Sequence, residues 1–521
     1  MDTLLNRLDT SVNSTICGFD RIVFKGIIRP IVHSAGMMSF LVAHKVLNKD
    51  FKTWAMKQSK LIVESAEEMS QRECGRKVDY ISSINTRKEE LAHTRQIERG
   101  ITEGLIGVWA CVESCNTFRS VFDPTNTYPT LRFESSRCKH MYFYFDDPVF
   151  GFMSIRLQTW APYEVQIALN GREWLARSLD AAGCGYVVCG NKFIHIDDYD
   201  LAQQLLDDQA RVDFKDILKS FLPSVFPCME KILGPSLTYY WTYWQTEVAK
   251  DYIFKDADVL GQLMDDFQLH ALITGKGERI LKYFGSPVRA DGRPRKGADP
   301  QIVTKTNAWY DGLRIKHWCE KNSLKCYNEH NVLRFEMTMN NPARFKIHRH
   351  TENQDKSGQK NLLPMRKGVA DTKARFDVSK AAIDRFTEHM AAVKETTRLG
   401  DVLSLAADPI ASGNKRFRAL DAFGKDREFL SAASDPVSDV CAITNKGLQK
   451  TLAKTPWAKG MKGKRLSARI SRHLRLLREH GLIRKLPNQR KYALTDKGRK
   501  LSAAIDVALA SSVSELLKLA A

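Results

Sequence analysis

The spacing of apolar residues along this chain changes several times, and each change marks an element. Phe19–Ile31 (FDRIVFKGIIRPI) carries β-branched runs closed by Pro30 and predicts one short extended segment. Met37–Asn48, Phe51–Arg72 and Thr86–Arg99 place apolar residues at helical spacing among charges, so 1–135 is expected to be mostly helical. The texture changes at His140. Met141–Phe145, Phe152–Trp160 and Glu164–Leu169 are short, aromatic and β-branched, separated by Asp-Asp-Pro and Ala-Pro turns, and predict consecutive antiparallel strands. Asn170-Gly171 then opens a helix, Arg172–Ala182, stopped by Gly183. Strands at Tyr186–Cys189 and Phe193–Ile196 and a helix from Tyr199 complete an α+β unit over 136–215.

Helices are expected to fill 216–285, including the aromatic run Tyr239–Trp244. Gly285–Gln301, rich in Gly, Pro and charge, reads as an exposed loop. A second small sheet is expected within 286–380, from Leu313–Cys319, Ser323–Tyr327 and Val332–Met339, with flexible loops such as His350–Asn361. The stretch 381–440 reads as a helical connector, and no repeat at solenoid periods is present. Within 441–521, Ile443–Ala453 predicts a helix and Lys459–Lys464 a basic turn. Leu466–His480 predicts an amphipathic helix, with Leu466, Ile470, Leu474 and Leu477 at helical spacing and Gly481 as its cap. Two short strands around Pro487-Asn488-Gln489 and a last helix from Thr495 follow. The expected fold is a multidomain α+β protein with a helical N-terminal region and an antiparallel α+β body.

Charge sharpens this picture. The 521 residues hold 80 Lys+Arg against 60 Asp+Glu, a net of +20. From residue 441 onward 19 Lys/Arg face 4 acids, so 19 − 4 = +15 sits in that segment and only +5 in everything before it. Such a localised excess predicts docking to a polyanion. The 11 cysteines form no C-x-x-C pair, their closest spacings being Cys111/Cys115 and Cys184/Cys189, and read as reduced core thiols. Met1–Thr10 is too polar for a signal peptide, and no run of 18 apolar residues exists. A cytoplasmic, nucleoid-associated protein without a membrane partner is expected.

The pattern SRHLRLLREHGLIRKL…KYALTDKGR resembles the winged helix-turn-helix of bacterial regulators. That resemblance implies that Arg469, Arg472 and Arg475 enter a major groove, on a nucleic-acid-binding face shared with Lys462, Lys464, Arg465 and His473. Arg484, Lys485, Arg490 and Lys491 on the wing would meet phosphates. DNA is the favoured partner, RNA the other, and homodimerisation stays open. A winged helix also serves elsewhere as a protein-docking or dimerisation module.

Three acidic stations in the body invite a chemical reading. Asp146-Asp147 end a strand, Glu173 starts a helix and Asp197-Asp198 end a later strand. This order is similar to that of RNase H-like nucleases and transposases, which implies catalytic acids at these five positions, with Asp146, Glu173 and Asp198 holding Mg²⁺ or Mn²⁺. The same acids are also ordinary turn and helix-start residues. WQTEVAKD, read as helix, places Glu247 and Asp251 one turn apart. Lys325, Tyr327, Arg334 and Glu336 resemble a segment of rolling-circle replication initiators, although a cross-strand Arg–Glu pair accounts for them as well. Taken whole, FYFDDPVFGFMSIRLQTWAPY, NGREWLA, QTEVAKD, LKCYNE…LRFEMTMNNP and MRKGVAD resemble a family of long bacterial, mobile-element-associated proteins ending in a winged helix, a resemblance that transfers no catalytic residue. The expected function is nucleic-acid binding, with a metal-dependent nuclease or recombinase body. The competing expectation is a non-enzymatic transcriptional regulator or RNA-binding scaffold.

Overall fold

A computed structural model describes residues 3–8, 10–82, 85–122, 124–125, 127–275, 277–286, 301–309, 312–350, 361–394, 399–413, 415–435, 442–487 and 489–510. Most of the expected loops Gly285–Gln301 and His350–Asn361 lies outside the described residues. The chain is α+β, and eleven of its strands form one large sheet where two small ones are expected. In chain order these strands are β1 (Val12–Ile27), β2 (Asp79–Ile81), β3 (Gly104–Val121), β4 (Thr130–Asp147), β5 (Gly151–Gln158) and β6 (Val165–Asn170). After the separate hairpin β7 (Tyr186–Cys189) and β8 (Lys192–Ile196) come β9 (Tyr240–Phe254), β10 (Ile302–Trp309), β11 (Gly312–Cys319), β12 (Asn322–Glu329) and β13 (Val332–Met339).

The sheet order is β10-β11-β12-β13-β9-β1-β6-β5-β4-β3-β2. Its centre is the antiparallel pair of β1 and β9, each flanked by the last strand of the meander that follows it in sequence. Two expectations fail here. The region 1–135 contains β1, β3 and the start of β4 as well as helices, and Tyr239–Trp244 opens strand β9 where a helix is expected. Central strands covered on both faces bury nearly every side chain, so they lose the alternation that identifies a strand. All eight residues of β13 and the last seven of β9 are buried. Of the aromatic run, Tyr239, Trp241 and Tyr243 are core residues, whereas Trp244 is 51% exposed.

One face of the sheet carries the main core, under the helices Ser34–Ala43, Phe51–Cys74 and Thr372–Met390 among others. Phe335 packs on Phe386 and Phe19 on Phe376 there. A smaller core covers the middle of the opposite face, where Ile16, Ile253 and Val332 meet Leu175 and Leu179 of the helix Gly171–Ala182, Phe193 and Ile196 of β8, and Leu206 of the helix Tyr199–Gln209. Gly171 is required at that helix's entry, because a Cβ would lie 2.1 Å from the Phe19 carbonyl oxygen. Close approach at Gly171 seats the next residue, Arg172, beneath the central strands.

The C-terminal basic stretch folds around its own core. Leu466, Ile470, Leu474 and Leu477 of the helix Gly463–Glu479 meet Leu448, Leu452, Trp457 and Leu501, as their spacing predicts. This core also takes in Val402, Leu420 and Phe429 from the expected connector. The hairpin Ile483–Lys485/Tyr492–Leu494 and the helix Asp496–Ala510 follow. Ile443 is not helical: it bridges Tyr492, and Thr444 caps a helix over Asn445–Leu452. Among the described residues no helix is long and apolar enough to cross a membrane.

Candidate functional site

The five acids expected to meet at a catalytic centre do not form one. Asp146 is buried and neutralised by Arg177, with Gln96 donating to it at 2.5 Å. Asp147 accepts the backbone N–H groups of Val149 and Phe150 at 2.8 and 2.9 Å and shapes the β4–β5 turn. Glu173 lies near enough to Asp146 to sense its charge; burial first, then Asp146, raises its pKa against the pull of Arg177. Asp197 faces His195 at 3.0 Å, and Asp198 caps the helix Tyr199–Gln209 by accepting from Leu201 N–H at 2.9 Å. Among the described residues the carboxylates that do meet are others: Asp20, Glu247 and Glu336, whose oxygens lie within 4.8 Å of one another.

Local geometry explains the meeting. The register of β1 against β9 shifts between Phe19 and Arg21, so Asp20 sits at a bulge, a device that re-aims a side chain. Glu247 on β9 and Glu336 on β13 follow by alternation, and Lys325 of β12 stands directly opposite Glu336. The expected helix over WQTEVAKD is therefore a strand. Glu247 and Asp251 share a face all the same, because four residues is two pleats as well as about one helical turn. The expected pairing of Arg334 with Glu336 gives way to two others: Lys325 ion-pairs with Glu336, and Arg334 with Asp251. Tyr327 donates to Glu336 at 3.3 Å and is held in phenol form by burial.

Below this trio lies a buried ionic floor. Arg334 grips Asp251 through Nε and Nη2 at 2.6 and 2.8 Å and reaches Asp20 through Nη1 at 2.8 Å. Arg172 contacts Asp251 at 2.8 Å and donates to the Ala249 carbonyl at 3.1 Å. The tip of the β7–β8 hairpin closes the floor, with Asn191 donating to Asp20 at 2.9 Å and accepting from Arg334 through its carbonyl at 3.1 Å. Burial opposes the charge of Asp251, but Arg334 and Arg172 outweigh it and lower its pKa. Lys325 does the same for Glu336. Glu247 is the exception: burial and the neighbouring Glu336 push it up to about 7, against the pull of Lys325 at 3.9 Å. Its side chain keeps 18% exposure, so the cluster opens to solvent at its least neutralised member.

The C-terminal cations divide differently from expectation. Lys462, Lys464, Arg465, Arg472, Arg475, Arg484, Lys485, Arg490 and Lys491 are exposed, as a cationic surface requires. His473 and Arg469 are structural: His473 packs edge-on against Trp457 with ring centroids 4.8 Å apart and faces the buried Asp426, and Arg469 covers the Trp457 ring at 4.4 Å.

Comparison with known proteins adds no family. No family model and no curated protein matches the chain. A solved structure with overlapping extent is the class II 3-hydroxy-3-methylglutaryl-CoA reductase from Streptococcus pneumoniae bound to NADPH in open conformations, 9% identical, covering 91% of this chain and 80% of that one at a TM-score of 0.18. A score so low carries no argument about fold or reductase chemistry. The expected function is nonetheless corrected: the five proposed nuclease acids do not converge, and the carboxylates that meet among the described residues are others. Nucleic-acid binding, with its nuclease, regulator and scaffold variants, is not retained.

Proposed function

We propose that this protein binds a hard divalent cation, Mg²⁺ or Mn²⁺, at Asp20, Glu247 and Glu336, with Glu247 giving up its proton to solvent as the ion binds. The observation that carries the reading is the convergence of three carboxylates from three strands within 4.8 Å, with an open edge at Glu247. Oxygen-rich sites of this kind suit Mg²⁺, Ca²⁺ and Mn²⁺ rather than softer metals. The recorded contacts set Asp20, Asp251, Glu247 and Glu336 against Arg172, Arg334 and Lys325, four carboxylates to three cations. Glu247 accommodates the imbalance by holding a proton up to about pH 7, a proton that a bound cation would displace. A bound cation supplies Lewis acidity toward an oxygen of a small substrate. The C-terminal unit, which we read as a winged helix, stands apart from this centre and contributes no residue to it.

Calorimetric titration of the full chain with Mg²⁺ and with Mn²⁺ tests the proposal. One equivalent is expected to bind, more tightly above pH 7 than at pH 5, and binding is expected to vanish in Glu336→Gln and weaken in Glu247→Gln. Absence of heat and of any metal-dependent thermal shift, or binding indifferent to both substitutions, overturns it.

A further inference from the structure

A second group of metal-ligating side chains lies away from the central carboxylates, on the long β3–β4 pair. Cys111, Glu113 and Cys115 of β3 stand opposite His140, Cys138 and Ser136 of β4, so their side chains share one face. Cys115 and Cys138 are diagonal neighbours whose sulfurs lie 2.7 Å apart, and a ring nitrogen of His140 lies within 4.8 Å of both. Both cysteines are free. The histidine is 1% exposed, and its tautomer follows from its contacts. Nδ1 lies 3.2 Å from the Cys138 carbonyl oxygen, which can only accept, so Nδ1 carries the ring proton. In the neutral ring Nε2 then keeps its lone pair, and it is buried without a hydrogen-bond partner. An orphaned buried acceptor is costly unless something binds it. A disulfide between the two cysteines would leave that nitrogen orphaned, whereas a cation shared with the sulfurs satisfies it.

We propose that Cys115, Cys138 and His140 form a site for a soft, zinc-class divalent cation. Two thiolates and an imidazole whose other nitrogen is oriented by a carbonyl are a typical zinc ligand set with its outer partner in place. Glu113 does not complete the set. Its carboxylate is already taken by Lys88 at 3.0 Å, Arg156 at 3.0 Å and the Tyr142 hydroxyl at 2.6 Å. The fourth tetrahedral position falls to water or an added ligand on the side where Cys115 is partly exposed. Seating an ion at Zn–S distances of about 2.3 Å opens the sulfur pair by roughly 1 Å, a movement within side-chain rotation. Each thiol gives up its proton to solvent on coordination, so binding releases protons. The donors differ in kind from the carboxylates of the proposed hard-cation centre, and neither site depends on the other.

The test uses the reduced full chain, stripped of metal and titrated with Zn²⁺ and with Co²⁺. One equivalent of either is expected, with a sulfur-to-cobalt charge-transfer band, proton release seen as a buffer-dependent heat, and a zinc-dependent rise in melting temperature that a chelator reverses in the unmodified protein. Cys115→Ser, at the partly exposed position, and His140→Gln are expected to lower affinity more than about tenfold, while Cys184→Ser leaves it unchanged. Three results overturn the proposal: no bound metal and no band, a band undiminished by either site variant, or an intact mass two hydrogens lighter that maps to a Cys115–Cys138 disulfide. If a site variant fails to fold, the chelator-reversible stabilisation of the unmodified chain still decides the question.

Discussion

Arg334 holds Asp251 by two of its nitrogens, at 2.6 and 2.8 Å, in a place where both side chains have essentially no solvent. The pair crosses from β13 to β9, and Arg334 continues to Asp20 on β1, tying three strands at the middle of the sheet. Two charges at such depth carry a large desolvation cost that only their mutual contacts offset. Asp251→Asn is therefore expected to destabilise the fold by about 3–5 kcal/mol in urea unfolding, because it strands Arg334 and Arg172. Asp251→Leu combined with Arg334→Met should cost less than the sum of the two single changes; additive losses would show the residues to be energetically independent.

Glu247 makes an opposite prediction. Its folded pKa, about 7, lies above the ordinary carboxylate value, so the native state favours its protonated form. The sign follows: this contribution is full below pH 4.5, declines as pH rises, and has become a penalty of up to about 3 kcal/mol above pH 7. Glu247→Gln removes the charge, and is expected to raise the melting temperature at pH 8 while changing it little at pH 4. A variant that is destabilised more at pH 8 than at pH 4 contradicts the assignment.

Three histidines, His317 buried and His270 and His389 half-buried, set the acid limit. His270 and His389 have ring centroids 4.6 Å apart, and His317 packs on Phe386 beside them. Burial lowers the pKa of each, His317 to about 4, and Arg279 at 2.8 Å from His389 adds repulsion to that residue and to His270. A histidine kept neutral by the fold stabilises it above pH 6.5 and ceases to do so as pH falls. Stability is expected to drop between pH 6.5 and 4, with up to about 3 kcal/mol traceable to His317. His317→Gln should flatten that part of the profile in pH-dependent unfolding.

In the C-terminal core, Asp426 accepts from both terminal nitrogens of Arg418 at 2.6 Å and from the Asp421 N–H at 2.9 Å. Burial works against its charge, and these donors together with His473 overcome it, holding its carboxyl well below the usual range. Asp426→Ala is expected to cost about 1–3 kcal/mol, because Arg418 is exposed enough to be rehydrated, and to show as lost amide protection in the helix Gly463–Glu479 while β9 stays protected. Uniform loss of protection would mean that the two cores unfold together.

How much of this could be read in advance depended on sequence separation. The helix Gly463–Glu479 was legible because its leucines and isoleucine repeat on one face against a charged background. The meander strands β4 to β6 and β11 to β13 were legible from turns and β-branching. β9 was not, since burial on both faces erases its period, and the single sheet was not, since it depends on β1 pairing with a strand more than 200 residues away. Asp20 and Arg334, 314 residues apart, share no local signal, and neither do Cys115 and His140. Glu247, Asp251, Arg334 and Glu336 stand out in the sequence, but in two separate segments that nothing local joins. The acids that looked catalytic were conspicuous because turns and helix starts select them.

The position of β1 also bears on how the chain is made. Val12–Ile27 is synthesised before both of its neighbours in the sheet, Val165–Asn170 and Tyr240–Phe254. At about 5–20 residues per second, its second edge waits roughly 10–50 s for a partner. Throughout that interval a sixteen-residue strand that ends as the spine of the sheet is a nascent segment with an open hydrogen-bonding edge, which makes β1 the strand most dependent on being shielded during synthesis.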